Sequence, residues 1–169
     1  MITKKDRILY IPIGLPGCGK TWNRKRDALI LCKDDIRFML LNYEQTDRDF
    51  YLDSQNGDGV GKITLEEQVK EIFEAALQSL LGTGYNIYLD GTNLIAEHRV
   101  EYIRRAHAMG YKIHFILFKN HYTAIFRNSI RKRRVPNEII NNMFRNKEEL
   151  TQFEKIMAYK IEVRKTVEE

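Results

Sequence analysis

The chain has 169 residues, 43% apolar and 30% charged, which is enough for one buried core without disulfides or a structural metal and too little for two ordinary domains. Its 28 Lys and Arg against 23 Asp and Glu leave a net charge of +5, which favours an anionic partner without naming one. Only Cys18 and Cys32 occur, and His98, His107, His114 and His121 show no i, i+4 pairing, so a disulfide framework and a histidine metal site are both excluded; with no signal peptide and no apolar run near the ~18 residues of a membrane span, the expectation is a cytoplasmic protein with no membrane partner.

In chain order, Ile8 to Ile13 reads as a buried strand, and Pro12 predicts that pairing on one side ends at Ile11. The strand runs into Gly14-Leu15-Pro16-Gly17-Cys18-Gly19-Lys20-Thr21, which satisfies G-x-x-x-x-G-K-[ST]. Glycines at these positions let main-chain N–H groups wrap phosphates, and a helix expected directly after the loop would add its dipole. Lys20 would reach the β- and γ-phosphates and the Thr21 hydroxyl would ligate Mg²⁺. ATP and Mg²⁺ are therefore the expected ligands of residues 14–21, with Cys18 read as a small loop residue rather than a redox switch.

Leu29 to Cys32 reads as the second strand, followed by Lys33-Asp34-Asp35-Ile36-Arg37. The carboxyl ends of strands in an open α/β sheet face the ligand crevice, so this stretch brings a carboxylate and a guanidinium beside the terminal phosphate. A carboxylate here suits deprotonation of an acceptor hydroxyl, and a cation suits holding an anionic acceptor or the transferring group; a plain helix cap by Asp34 or Asp35 is the competing reading. Tyr43 to Ile63, with Gly57, Gly59 and Gly61, shows no period and is expected to be a long mobile insertion. Its imitation of a calcium loop fails because Asn56 and Val60 stand at the first and fifth ligand positions.

Leu65, Val69, Ile72, Phe73, Ala76, Leu77, Leu80 and Leu81 recur at helical spacing, opened by Thr64 with Glu67 and closed by Gly82. Asn86 to Asp90 predicts a third crevice-facing strand, ending in Asp90-Gly91-Thr92-Asn93. Asp90 suits a water-mediated Mg²⁺ contact, and Thr92 and Asn93 offer donors for a phosphate or sugar oxygen. The Asp-Gly-Thr is similar to a phosphatase motif, but Tyr88 stands where the nucleophile would be, which excludes that chemistry. A helix with Val100, Ile103 and Ala106 stops at Gly110, and a strand over Lys112 to Phe118 follows.

Arg127 to Arg134 then holds five basic residues in eight, with Arg127 and Arg131 spaced i, i+4 as a cationic lid; a solvated helix face is the competing reading. Pro136 opens a helix carrying Ile139, Ile140, Met143 and Phe144, and Lys160 to Arg164 is a last candidate strand. Short apolar runs alternating with amphipathic stretches predict an α/β fold, a parallel sheet with helices on both faces.

From Gly14 to Pro136, the loop Gly14–Thr21, Asp34-Asp35-x-Arg37, Asp90-Gly-Thr92-Asn93 and Arg127-Asn-Ser-x-Arg131 with Val135-Pro136 resemble, in order and spacing, the kinase domain of phage polynucleotide 5′-kinases. The resemblance implies a single P-loop kinase domain over residues 1–169, with residues 127–136 as its lid. It further implies that Lys20 and Thr21 bind nucleotide and magnesium, that Asp34 is the general base, that Arg37 orients the acceptor, and that Arg131 acts with Arg127 on the phosphates. Thr92 and Asn93 would lie along a nucleic-acid acceptor, and no fused 3′-end phosphatase activity is expected. Related phage kinases phosphorylate a hydroxymethyl group on a pyrimidine base within DNA, which is the alternative acceptor; a small-metabolite kinase is the remaining enzyme reading. A GTPase switch is disfavoured because Asn146-Lys147-Glu148-Glu149 substitutes poorly for an Asn-Lys-x-Asp guanine reader.

Overall fold

Strands that are apolar on both faces can only be buried between layers, and the computed structural model places them so. It describes residues 6–41, 65–119, 121–130 and 134–164, with the side chains of 41, 121 and 122 excepted. The expected insertion at 43–63, the capping residue Thr64 and the lid residue Arg131 lie outside the described residues. Strands β1 (Ile8–Ile13), β2 (Ala28–Cys32), β3 (Asn86–Asp90), β4 (Lys112–Phe118) and β5 (Ala158–Arg164) form one parallel sheet in the order β2-β3-β1-β4-β5. The described helices are α1 (Lys33–Leu41), α2 (Leu65–Thr83), α3 (Ala96–Ala108), α4 (His121–Ser129), α5 (Asn137–Arg145) and α6 (Gln152–Met157).

Leu29, Ile87, Leu9 and Ile113 stand in one row across the sheet. The core adds Val69, Phe73, Leu77 and Leu81 of α2, which packs on β2, and Ile103 and Ala106 of α3, which packs on β4. The next row carries Tyr88, Tyr10, His114 and Lys160, so one sheet face is far more polar than the other. Residues 20–27 cross that polar face: Tyr88 Oη donates to the Lys20 carbonyl at 2.8 Å, Lys25 Nζ stands 5.7 Å from the Tyr10 ring, and Asn86 Nδ2 donates to Asp27 at 2.8 Å.

The expected strands are all present, with β2 and β5 starting earlier than predicted. Pro12 acts as expected: β1 pairs with β3 at Leu9 and Tyr10 but with β4 as far as Ile13. Two expectations are corrected. Helix α2 runs through Gly82 to Thr83, and the left-handed residue that ends it is Gly84 at φ +74°. More consequentially, no α-helix follows the Gly14–Thr21 loop; Thr21–Asn23 is a single 3₁₀ turn and β2 begins at Ala28. The reason is reach. A parallel neighbour must be entered from its far end, about 17 Å down a five-residue strand. The stretch from Thr21 to Asp27 would cover only about 10 Å as an α-helix, so no α-helix fits between the loop and β2.

Candidate functional site

The Gly14–Thr21 loop is shaped by close approaches that exclude side chains. Gly17 and Gly19 take φ of +84° and +97°, and a Cβ on Gly17 would stand 2.4 Å from the Ala124 carbonyl of α4. Cys18 is buried, and a Cβ on Gly14 would lie 2.6 Å from its sulfur, which suits a small loop residue. Lys20 Nζ is folded into the loop, donating to the Gly14 and Leu15 carbonyls at 2.7 and 2.6 Å. The Gly14 N–H donates to the Thr92 carbonyl at 3.1 Å, tying the loop to the end of β3. Arg127 of α4 leans over the loop, its Nη1 3.7 Å from where a Gly19 Cβ would be.

At the mouth of this loop, Thr21 Oγ1 donates to Asp90 Oδ2 at 3.4 Å. Arg24 reaches the same oxygen through Nε at 2.7 Å and Nη2 at 2.6 Å. Burial works against the Arg24 charge, yet the Asp90 carboxylate outweighs it and holds the guanidinium pKa above its ordinary value. A hydroxyl and a carboxylate side by side are hard oxygen donors suited to Mg²⁺, which retains most of its waters when bound by so few protein ligands. The residues therefore fit a magnesium nucleotide, provided that Arg24 yields the carboxylate. Among the described residues no group of three or more His, Cys, Asp and Glu forms a metal cluster.

The second part of the site grows from the start of α1. Cys32 ends β2 and its sulfur takes the Asp35 main-chain N–H, while burial pushes the thiol up to about 11. The carboxylates of Asp34 and Asp35 lie in the first turn of α1. Asp34 Oδ1 accepts from Arg37 Nη1 at 2.7 Å. The other edge of the Arg37 guanidinium is held bidentately by Glu66 of α2, at 2.7 and 2.6 Å. A cavity of about 570 Å³ opens between these elements, lined by Asp90 and Thr92 after β3, by Arg37 of α1, by Glu66 and Phe73 of α2 and by Tyr102 of α3. Asp34 is joined to this lining by its bond to Arg37. Lys33 Nζ lies 5.0 Å from the centre of the Phe73 ring; burial, helped by Arg37, lowers its pKa.

Asn93 does something other than expected. At φ +47° its Nδ2 donates to the Pro12, Leu89 and Gly91 carbonyls at 2.7, 3.0 and 3.3 Å, so the amide predicted to donate to an acceptor instead pins main chain. The carbonyl of Pro12, set free where pairing with β3 has stopped, supplies the reason. Thr92 and Asn93 both stand on the cavity wall. Buried beneath, Arg99 joins the site loop to the C-terminal segment. It donates to the Asn93 and Leu94 carbonyls at 3.0 and 2.8 Å, to the Glu149 carbonyl at 3.0 Å, and to Glu154 at 2.5 Å. Arg24, Glu66, Lys33, Phe73, Tyr102 and Arg99 were all missed by sequence reasoning. Only Arg24 left a signal, in the lack of room for a helix between Thr21 and Ala28.

The family described as an AAA domain matches residues 9–150. The chain belongs to this AAA-domain family. No curated protein matches the sequence. Among solved structures, a chain of the PezAT toxin-antitoxin system of Streptococcus pneumoniae is 18% identical at a TM-score of 0.60, over 94% of this chain and 67% of that one. Kti12 of Chaetomium thermophilum, solved with ADP-AlF3, is 14% identical at 0.61, over 95% and 90% of the two chains. A gluconokinase from Sinorhizobium meliloti is 13% identical at 0.53, over 94% and 84%. At such identities the likeness is one of fold alone, an α/β P-loop NTPase-like fold that agrees with the AAA-domain match. Among the described residues, no helix is long and apolar enough to cross a membrane.

Proposed function

We propose that this AAA-domain protein is an ATP-dependent kinase that transfers the γ-phosphate to a hydroxyl of a nucleic acid, with the 5′-hydroxyl end of DNA or RNA as the leading acceptor. The observation that carries the reading is the single cavity joining the phosphate end, Asp90 and Thr92, to a wall of Arg37, Phe73 and Tyr102. At about 570 Å³ it lies within the 300–1,000 Å³ range of small-ligand sites and has an aromatic wall on which a terminal nucleotide can stack.

In this reading the triphosphate lies along Gly14–Thr21, and Lys20 exchanges its two carbonyl partners for β- and γ-oxygens. Thr21 and Asp90 would hold Mg²⁺, which when bound neutralises charge on the transferring group. Asp34 accepts the proton of the acceptor hydroxyl as its oxygen bonds to the γ-phosphorus and the bond to the β–γ bridging oxygen breaks, leaving ADP. Arg37 orients the acceptor, Thr92 contacts it, and Arg127 with Arg131 covers the phosphates. The rest of the basic run through Arg134 meets the nucleic-acid backbone. The enclosed aromatic wall also favours a second reading, phosphorylation of a hydroxymethylated pyrimidine extruded from DNA.

The deciding experiment incubates the protein with Mg²⁺ and γ-labelled ATP against oligonucleotides with 5′-hydroxyl ends, against 5′-phosphorylated duplex containing hydroxymethyluracil, and against free nucleosides and sugars. Label on the first supports end phosphorylation and label on the second the base reading. Label confined to free nucleosides or sugars refutes both.

A further inference from the structure

A buried carboxylate needs a counter-charge at all times, and Asp90, 8% exposed, has one that the loop motif does not supply. Arg24 delivers Nε and Nη2 to Oδ2, the same oxygen that lies 3.4 Å from the Thr21 hydroxyl. We propose that Arg24 is a tethered cation that occupies Asp90 while the nucleotide site is empty and passes to the nucleotide's phosphates when a divalent cation takes the carboxylate.

Three features support this, given the proposed nucleotide site on which it rests. The first is connectivity: with no α-helix after the loop, the N-terminal dipole that would favour phosphate is missing, and a mobile cation three residues past Thr21 stands in the same place. The second is competition. The one Asp90 oxygen that faces the Thr21 hydroxyl is already bonded to a guanidinium, so a divalent ion and Arg24 cannot both use it. The third is freedom to move: the Arg24 side chain is 34% exposed, sits outside any regular element, and has Asp90 as its only side-chain partner among the described residues. Asp35 from α1 and the Cys32 thiol from β2 are the other groups whose fields reach it, and neither makes an ion pair with it. Once displaced, the guanidinium is left beside a loop that is about to hold several negative oxygens, the partners for which Arg is best suited.

The test is equilibrium dialysis with labelled ADP, with and without Mg²⁺, and with the emission of Trp22 as a second readout. Trp22 is the single tryptophan, sits two residues from Arg24 and is 94% exposed. Arg24→Gln should lower the Mg²⁺ concentration that half-saturates ADP binding by about fivefold or more, because the competitor is gone, while metal-free ADP binding, in which Arg24 stays on Asp90, changes less than about twofold. Arg24→Lys, which keeps the charge without the two-point contact, should shift the Mg²⁺ midpoint in the same direction by less, and it carries the test if Arg24→Gln does not fold. A merely structural arginine would weaken both kinds of binding together or move neither, and either result overturns the proposal. If the wild-type protein binds no ADP with Mg²⁺, the nucleotide-site reading itself fails; normal ADP binding with an unmoved Mg²⁺ midpoint in both variants sinks the Arg24 proposal alone.

Discussion

Arg99 is the residue whose removal the structure lets one price most directly. Its guanidinium and the Glu154 carboxylate are both fully buried, bonded through Nε to Oε1 at 2.5 Å and Nη2 to Oε2 at 3.1 Å. Burial alone would raise the Glu154 pKa, but the Arg99 bonds and the Thr151 N–H reverse the sign and leave it lowered. In Arg99→Met the carboxylate keeps only its capping contacts with Thr151, the nearer of them at 2.8 Å, and the Asn93, Leu94 and Glu149 carbonyls lose their donor. Breaking a buried pair from one side costs about 3–5 kcal/mol, a large share of the roughly 5–15 kcal/mol that holds a domain together. At about 2–4 °C per kcal/mol for a chain of this size, the melting temperature should fall by roughly 6–20 °C. Urea titration at neutral pH reads the same loss.

The control is the double variant. Because two well-packed apolar side chains can replace a buried ion pair at little cost, Arg99→Met with Glu154→Met should be less destabilised than the two single losses added together. Acid sharpens the contrast. A carboxyl whose folded pKa lies below its ordinary 4.5 contributes stability that is complete above that value and lost as the pH falls through the folded pKa. The Glu154 share of the acid limb should therefore vanish in the Arg99→Met background. An Arg99→Met protein within about 1 kcal/mol of wild type, or a double variant whose loss is the plain sum of the singles, would refute the reasoning.

Asp34→Asn should depress turnover by about 10²–10⁴ while leaving ADP binding nearly intact, whereas Glu66→Gln, which loosens Arg37, should raise KM for the acceptor more than it lowers kcat. Near-normal turnover of Asp34→Asn with a dead Glu66→Gln would transfer the base role to Glu66. His114 sits in the sheet 5.2 Å from the Tyr10 ring and 3.2 Å from Glu162 Oε2; burial lowers its pKa from 6.5 although Glu162 pulls the other way. Its unfolded form therefore binds a proton first, so stability is complete above about 6.5 and falls as the pH drops below it. The urea midpoint should decline less over that interval in His114→Gln, and an unchanged slope would contradict the argument.

What could be read in the sequence was whatever depends on near neighbours. Ile8–Ile13 and Lys112–Phe118 are legible as strands because burial on both faces demands unbroken apolar runs, and Gly14–Thr21 because wrapping a phosphate fixes its spacing. The missing helix was misread by analogy, since the loop ordinarily opens one; counting the residues left before Ala28 against the height of the sheet would have corrected it. Glu66 and Arg37 meet across 29 positions, and Arg99 and Glu154 across 55, separations at which no periodicity survives. Asn93 has a second engagement that the sequence does not announce. An amide near a phosphate site looks like a ligand donor, and only the pairing of Pro12 reveals that a main-chain carbonyl has the prior claim.

These pairings bear on how the site works. The principal cations near the phosphate and acceptor positions are already engaged: Lys20 with two carbonyls, Arg24 with Asp90, and Arg37 with Asp34 and Glu66. Their partners offset the desolvation that burial imposes on them in the empty protein, so ligand binding exchanges partners rather than filling bare charges. The exchange also imposes an order on the proposed reaction. In the empty site Arg37 Nη1 donates to Asp34 Oδ1, so in the proposed reaction an acceptor that draws Arg37 aside also removes this bond from the oxygen that is to take its proton. Water is a poor competitor for that guanidinium against the bidentate grip of Glu66, whereas an anionic nucleic-acid end competes as a like group. In this reading the Glu66 clamp on Arg37 therefore selects for an anionic acceptor, which is why loosening Glu66 should weaken discrimination between such acceptors and water before it weakens the chemistry.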